Sequence, residues 1–391
     1  MLQAAPGGIG IMKSHKSVKE IVRHFTPNWF TMNMGTGILF LSLHESFPAA
    51  LPGQDWLTRG LWWFDMGLYV LFSSLLLARL VWFPDSLGRL LRHPVQSMFL
   101  GAIPMGLVPI LDGWVLFGPE LIGHAAIGLA EALWWADAFL AVLFGWLVPY
   151  FMFTRQAHLL ERMTAVWLLP IVSAEVTAAA GGLLAPHLAP AAAEVVVMTS
   201  YVLWALSMPL ALTIVVILFL RLVLHKLPHR DMAVSSWLVL GPMGTGALGL
   251  LLLGVAAPAA FAGTPLASLG PLARGVGVIG GVMLWGYGLW WWVMAWLLTL
   301  RYLREGLPFN MGWWGFTFPL GVYAAATLQL AHETGLAAFG IFGALLVVQL
   351  AGFWTVVTLR TFHGMWYGYL FNAPCLSSET GLFESEPEPH T

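Results

Sequence analysis

The fold class predicted is an all-α integral membrane protein with ten transmembrane helices, and three observations predict it. Only 9% of the 391 residues are charged, 59% are hydrophobic and mean hydropathy is +0.80. A soluble domain of this length needs far more charge to cover its surface. The apolar residues run in blocks of about 20 or more, which at ~1.5 Å rise per residue match a hydrocarbon core of ~30 Å. The basic residues fall in alternate breaks between those blocks, as a fixed membrane orientation requires.

The ten blocks begin near Trp29, Trp62, Val95, Ala126, Thr164, Val195, Ala233, Gly275, Gly312 and Ala337. The breaks are short, so consecutive spans are antiparallel neighbours within one transport domain, residues 26–375. Residues 1–25 carry Lys13, Lys16, Lys19 and Arg23 but no apolar core followed by a small-residue cleavage site; they read as a cytoplasmic arm, not a signal peptide. Residues 376–391, with Glu379, Glu384, Glu386 and Glu388, read as an acidic, disordered cytoplasmic tail. With the N-terminus in the cytoplasm, fifteen Lys and Arg side chains fall inside and only Arg59 and Arg274 outside. One missed span would scramble that alternation. A multi-pass protein of the plasma or inner membrane, with both termini cytoplasmic, is the expectation. The net charge of −2 implies no basic surface for nucleic acid, and the single cysteine, Cys375, excludes a disulfide framework or a multi-cysteine metal site.

The spans are of two kinds. Odd spans are interrupted by small and cyclic residues: Gly35 and Gly37 in the first, Gly101, Pro104, Gly106 and Pro109 in the third, Pro170, Gly181 and Gly182 in the fifth. The seventh has Gly241, Pro242, Gly244, Gly246 and Gly249, and the ninth Gly312, Gly315, Pro319 and Gly321. Proline removes a backbone donor and glycine lowers helix propensity, so these spans are expected to kink or break. Even spans are bulkier, as in Trp62, Trp63, Phe64 and Phe72, although the eighth is itself glycine-rich. Odd spans forming an inner ring around a path, with even spans facing lipid, explain all five together. The alternative for any single span is close helix packing by small residues. The residues expected along the path are Asn33, Gly35, Thr36, Gly101, Pro104, Glu175, Gly244, Thr245 and Thr317.

Every histidine lies in a loop or near a span end, for example His24, His93, His158, His225 and His363 inside and His44, His124, His187 and His332 outside. Haem or a catalytic metal in a helical bundle wants facing imidazoles in the core, so no cofactor and no metal are expected. No HExxH is present. Asp137 and Glu175 each lie about eleven residues into a span, near mid-membrane. Ionisable groups at that depth are costly and mark functional candidates, so both are candidate proton relays. Equally, each could be a hydrogen-bonded acid that ties helices together. Asp65 and Asp112 fall nearer span ends and are expected in solvent. No Lys or Arg lies at mid-depth. An anion path must then rely on backbone N–H groups, hydroxyls, ring edges and the positive ends of helix segments.

Particular strings carry a further signal. They are FTPNWFTMNMGTGI (25–38), HPVQSMFLGAIPMG (93–106), WLLPIVSAEVTAAAGG (167–182), GPMGTGALGLLLLG (241–254), WGYGLWWWVMAW (285–296) and FNMGWWGFTFPLGVY (309–323). In this order they resemble the tellurite-resistance/dicarboxylate transporter family, which includes fungal sulfite pumps, a fungal malate permease and plant slow anion channels. The resemblance runs from about Phe25 to Leu376 and is nearer to the sulfite and malate branches than to the plant channels. It implies ten helices in five hairpins around a central pore, often a homotrimer, and transport of small inorganic or organic anions. It also implies a pore-closing phenylalanine on the ninth helix, matched here by Phe318; Phe316 is close by, and helical phase alone does not choose between them. The favoured cargo is a C4-dicarboxylate such as malate, or sulfite. The alternatives are a passive chloride- or nitrate-type channel and, from another class, a membrane enzyme using Asp137 or Glu175 on a lipid or quinone. No paired histidine, nucleophile motif or metal set supports the enzyme.

Overall fold

The computed structural model describes residues 17–46 and 53–376. Lys13, Lys16 and the acidic residues of the expected tail lie outside the described residues. Among the described residues there is no strand, and thirteen α-helices follow one another: α1 (Val18–His24), α2 (Phe30–Ser46), α3 (Gln54–Trp82), α4 (Asp85–Arg92), α5 (Ala102–Leu116), α6 (Gly118–Ile122), α7 (Ala125–Thr154), α8 (Leu169–Leu184), α9 (Pro190–His225), α10 (Leu240–Ala260), α11 (Leu269–Glu305), α12 (Phe318–Thr334) and α13 (Ala337–Trp366). Eight helical stretches are long and apolar enough to cross a membrane. The two remaining bundle helices, α2 and α12, have 17 residues each, and twelve in each are buried.

The bundle has two layers. Helix α2 packs on α5, α5 on α8, α8 on α10, α10 on α12 and α12 back on α2, which closes a ring. The outer helices α3, α7, α9, α11 and α13 each lie over the groove between two successive ring helices. Burial follows the layers: 78–94% of the most apolar stretch is buried in α5, α8 and α10, against 17–33% in the outer helices. The exposed side chains of the outer layer are apolar, among them Val81, Phe139, Trp146, Met283 and Leu359. In water such a surface would aggregate; in a bilayer it is the solvated face.

Each seam of the ring has a glycine where an added Cβ would meet the neighbouring helix, against backbone at Gly101, Gly182 and Gly244 and against side chains at Gly35, Gly37 and Gly321. A Cβ on Gly37 would lie 2.2 Å from Pro109 of α5, and one on Gly101 2.3 Å from the Leu169 carbonyl oxygen at the start of α8. Between α8 and α10, Gly182 faces Leu252 and Leu253; between α10 and α12, Gly244 faces the Val322 and Tyr323 backbone. Gly35 against Thr317 and Gly321 against Ile38 close the ring between α12 and α2. Close backbone approach of this kind lets dispersion hold helices together where no hydrophobic effect acts between them.

Two spans begin earlier than hydropathy predicts. Helix α3 starts at Gln54 rather than near Trp62, and α11 at Leu269 rather than near Gly275. The polar residues that end the apolar runs are helical because they pair. Arg59 holds Asp55 at 2.9 Å and Glu120 at 2.7 Å, and Arg274 holds Glu333 at 3.0 Å.

Candidate functional site

All ring helices are built alike at one end. Each starts from a 3-10 segment: Pro27–Trp29 before α2, Gln96–Gly101 before α5, Ala165–Leu168 before α8, Arg230–Val239 before α10 and Met311–Phe316 before α12. Proline stands in the first turn of the segment before α2 and of α8 and α12, where its missing N–H costs nothing. These segments surround a vestibule of about 590 Å³. Its lining residues furthest into the ring helices are Met34, Met105, Val172, Pro242, Phe318 and Pro319. Beyond that level the ring is packed, and residues 318–328 of α12 are all buried. The outer rim is polar, with Asn28, Gln96, His229 and Asn310, and Tyr369, Leu370, Asn372 and Pro374 cover one side after α13.

The electrostatics follow from direction. The ring helices all point their N-terminal ends at the vestibule, and each helix end carries the equivalent of about half a positive charge. No Lys or Arg is among the lining residues. One carboxylate, Asp231, lies among the lining residues at the rim, 3.2 Å from His229 Nδ1; further in, the chamber is positive through backbone dipoles, which attract an anion without holding it in a fixed ion pair.

Phe318 and Phe316 are separated by the geometry. Phe316 packs against Trp237 (5.6 Å between ring centres), Trp313 (5.7 Å) and Phe353 (5.0 Å) in an aromatic cluster that reaches α13. Phe318, first residue of α12, lines the vestibule and is only 4% exposed.

The other residues expected along the path lie elsewhere than on the vestibule wall. Asn33 donates from its amide to the Asp65 carbonyl (2.9 Å) and carboxylate (3.1 Å) on α3. Thr36 accepts from the Trp354 indole of α13 at 3.1 Å. Gly35, Gly101 and Gly244 are seam residues, Pro104 is buried in α5, and the Thr317 hydroxyl donates to the Trp314 carbonyl at 2.7 Å. Glu175 accepts from Thr245 (2.5 Å) on α10 and from Ser207 (3.0 Å) on α9, so three helices meet at one carboxylate. Asp137 on α7 accepts from Thr177 of α8 at 2.6 Å. Glu175 with Thr245 is thus the one pair among the expected residues that the fold brings into direct hydrogen bonding. The expectation that Asp65 and Asp112 are solvated is wrong: both are buried, at 0% and 7% exposure. Position along a span does not report which face of the helix an acid occupies, and Asp65 faces Asn33 rather than the rim.

His93 caps the second lead-in segment, Gln96–Gly101, from the vestibule wall. Its Nδ1 accepts the backbone N–H groups of Val95 and Gln96, both at 3.2 Å. Burial lowers its pKa below the ordinary 6.5, so the neutral ring that can accept is the form the fold selects. The unfolded chain binds that proton more readily than the folded one. Stability from His93 is therefore complete above pH 6.5 and is lost as pH falls through the lowered value. A thermal melt in detergent should fall in midpoint from pH 7.5 to pH 5 more steeply for wild type than for a His93→Asn variant, whose amide oxygen caps at every pH. Parallel pH profiles would exclude His93 as a titrating cap.

A closed helical ring inside an apolar jacket, with the positive ends of all five ring helices turned to one chamber, defines a membrane transport protein for anions. Residues 24–362 match the voltage-dependent anion channel family, and the chain belongs to it. The chain is 36% identical over 345 residues to a sulfite efflux pump of Arthroderma otae, covering 87% of this chain and 90% of that protein. It is 29% identical over 355 residues to an uncharacterized transporter of Methanocaldococcus jannaschii (90% and 98% covered). It is 20% identical over 383 residues to the malic acid transport protein of Schizosaccharomyces pombe (96% and 86% covered). The resemblance read from the six strings is borne out, and the chain is a transporter rather than an enzyme.

Proposed function

We propose that this protein carries sulfite, as the small singly or doubly charged anion, out of the cytoplasm along the axis of the ring, past Phe318. The observation that carries the reading is the vestibule itself, surrounded by positive helix ends and lined by no basic side chain. Such a chamber suits rapid, weak passage of a small oxyanion. A C4-dicarboxylate such as malate has two separated carboxylates and would gain most from a pair of cationic side chains on the wall. The higher identity to sulfite efflux pumps agrees with that preference.

In this reading all ten bundle helices cross a plasma or inner membrane, α2 and α12 included, with both termini cytoplasmic. The vestibule is the cytoplasmic mouth, because Arg79, Arg89, Arg92, Arg155, Arg221, Arg301, Arg304 and Arg360 lie at its end of the bundle and Arg59 and Arg274 at the other. The outer helices face lipid, and a homotrimer is the expected assembly from the family resemblance. Purified protein in liposomes should pass sulfite faster than malate, nitrate or chloride. Equal or greater malate flux would move the assignment to dicarboxylates, and no flux of any of the four would remove it.

The path is passive in this reading, with Glu175 as a tie between α8, α9 and α10 rather than a proton relay. Both its oxygens already accept hydroxyl donors, and it does not line the vestibule. Asp137 is likewise a tie, from α7 to Thr177. Glu175→Gln keeps the size and can still bond both hydroxyls. It is expected to cost about 1 kcal/mol of stability or less, and nitrate flux should be indifferent to an imposed pH gradient in wild type and variant alike. Nitrate is the right probe because it does not itself titrate in this range. A gradient response present in wild type and lost in the variant would restore Glu175 as the relay.

A further inference from the structure

A second groove, of about 520 Å³, lies on the outside of the bundle where α7 ends, lined by Arg92, Phe153, Thr154, Arg155, Gln156 and Ala157. Two arginines share it, and among the described residues neither guanidinium has a hydrogen bond or an ion pair, although Arg89 on the same short helix is paired to Asp85 at 3.3 Å. Like charges placed together without a counter-ion repel, so a groove that keeps two of them calls for an anion. The apolar side of the groove says which anion. Trp146, Tyr150 and Phe153 are 66%, 60% and 83% exposed and stand at i, i+4 and i+7 on α7, one continuous stripe that ends in the groove. Aromatic rings on an outward face, with arginines at the helix end, are the residues a bilayer selects at its headgroup level.

We propose that the groove between Arg92 and Arg155 binds the headgroup phosphate of an anionic phospholipid, with its acyl chains along the Trp146–Tyr150–Phe153 stripe. The site is joined to the vestibule by one side chain. Gln156, in the groove, donates from Nε2 to the Leu91 carbonyl (2.7 Å) on α4 and to the Ser97 hydroxyl (3.0 Å) in the lead-in segment of α5. A headgroup held by Arg92 of α4 and Arg155 after α7 therefore braces the same corner that Gln156 pins, next to the vestibule residue Gln96.

The test uses the full-length protein in neutral detergent, titrated with dioctanoyl phosphatidylglycerol, dioctanoyl phosphatidylcholine or inorganic phosphate, and read by native mass spectrometry and thermal midpoint. Phosphatidylglycerol is expected to bind saturably and raise the midpoint. R92Q/R155Q should weaken that binding about 30-fold, from two arginine–headgroup contacts, while R304Q, an exposed arginine outside the groove, keeps wild-type affinity. R155Q alone changes only an exposed side chain and should weaken binding about fivefold, which keeps the test available if the double variant folds poorly. Undiminished phosphatidylglycerol affinity in R155Q and in the double variant would overturn the site. Equal binding of phosphatidylcholine would show a chain-only contact, and an equal effect of inorganic phosphate a free-anion site; either outcome also overturns the proposal.

Discussion

Sulfite flux through Phe318→Ala protein in liposomes is expected to exceed wild-type flux about tenfold or more, which corresponds to lowering the barrier by about 1.4 kcal/mol. Phe318 is among the innermost residues lining the vestibule, and residues 318–328 of α12 from there on are all buried. An aromatic ring at such a level bars an ion twice, by occupying the path and by repelling the water that must accompany a charge. Truncation to alanine removes both effects; leucine, still apolar but smaller, should give an intermediate rise. Phe316 supplies the control two residues away. It is locked among Trp237, Trp313 and Phe353, so Phe316→Ala should cost about 3–5 kcal/mol of stability, the usual range for a buried phenylalanine, with no rise in flux per folded molecule. A well-folded Phe318→Ala protein with wild-type flux would end the gate assignment.

The contrast between those phenylalanines shows where sequence reading stops. Hydropathy and the arginine count found the bundle helices and their order, because both are one-dimensional signals that the bilayer imposes on the chain. The glycine and proline pattern separated ring from jacket, because close seams such as Gly101 against Leu169 need small residues wherever two ring helices touch. The same pattern does not say which side chains line the vestibule. Asn33, Thr36 and Thr245 are polar groups in ring helices, yet their side chains turn to Asp65, Trp354 and Glu175, away from the vestibule. A polar group in a ring helix meets either the chamber or a neighbouring helix, and which it meets depends on rotation about the helix axis. Hydrophobic periodicity cannot supply that rotation for a helix apolar on all sides. The vestibule wall was legible only as parts of the FTPNWF, HPVQSMFLG and FNMGWWGF strings, with nothing in them to mark 3-10 segments arranged about one chamber. Residues 369–374, which cover one side of it, carry no sequence signal of that placement.

Replacing Gly244 tests what holds the ring closed, and it separates the role of seam glycines from that of glycines in general. A Cβ at Gly244 would stand 2.6 Å from the Tyr323 backbone nitrogen, 2.8 Å from the Val322 carbonyl carbon and 2.9 Å from the Tyr323 Cα. All three atoms are backbone, so no rotamer change relieves the clash, and α10 and α12 must move apart. Overpacking of this kind costs about 1–3 kcal/mol for alanine, and valine should exceed that range and prevent assembly of the ring. Separation of α10 from α12 also displaces Pro242 and Phe318, which line the vestibule on either side of that seam. Gly244→Ala is therefore expected to lower the melting midpoint and to alter flux together. Gly286, on the outer helix α11, has open space where its Cβ would be. There alanine should be neutral or stabilising by about 0.5–1 kcal/mol, the helix-propensity gain over glycine, with flux unchanged. If both substitutions were equally mild, the α10–α12 seam would not be held by backbone contact, and the ring would have to rest on side-chain contacts such as the Glu175 tie between α8 and α10.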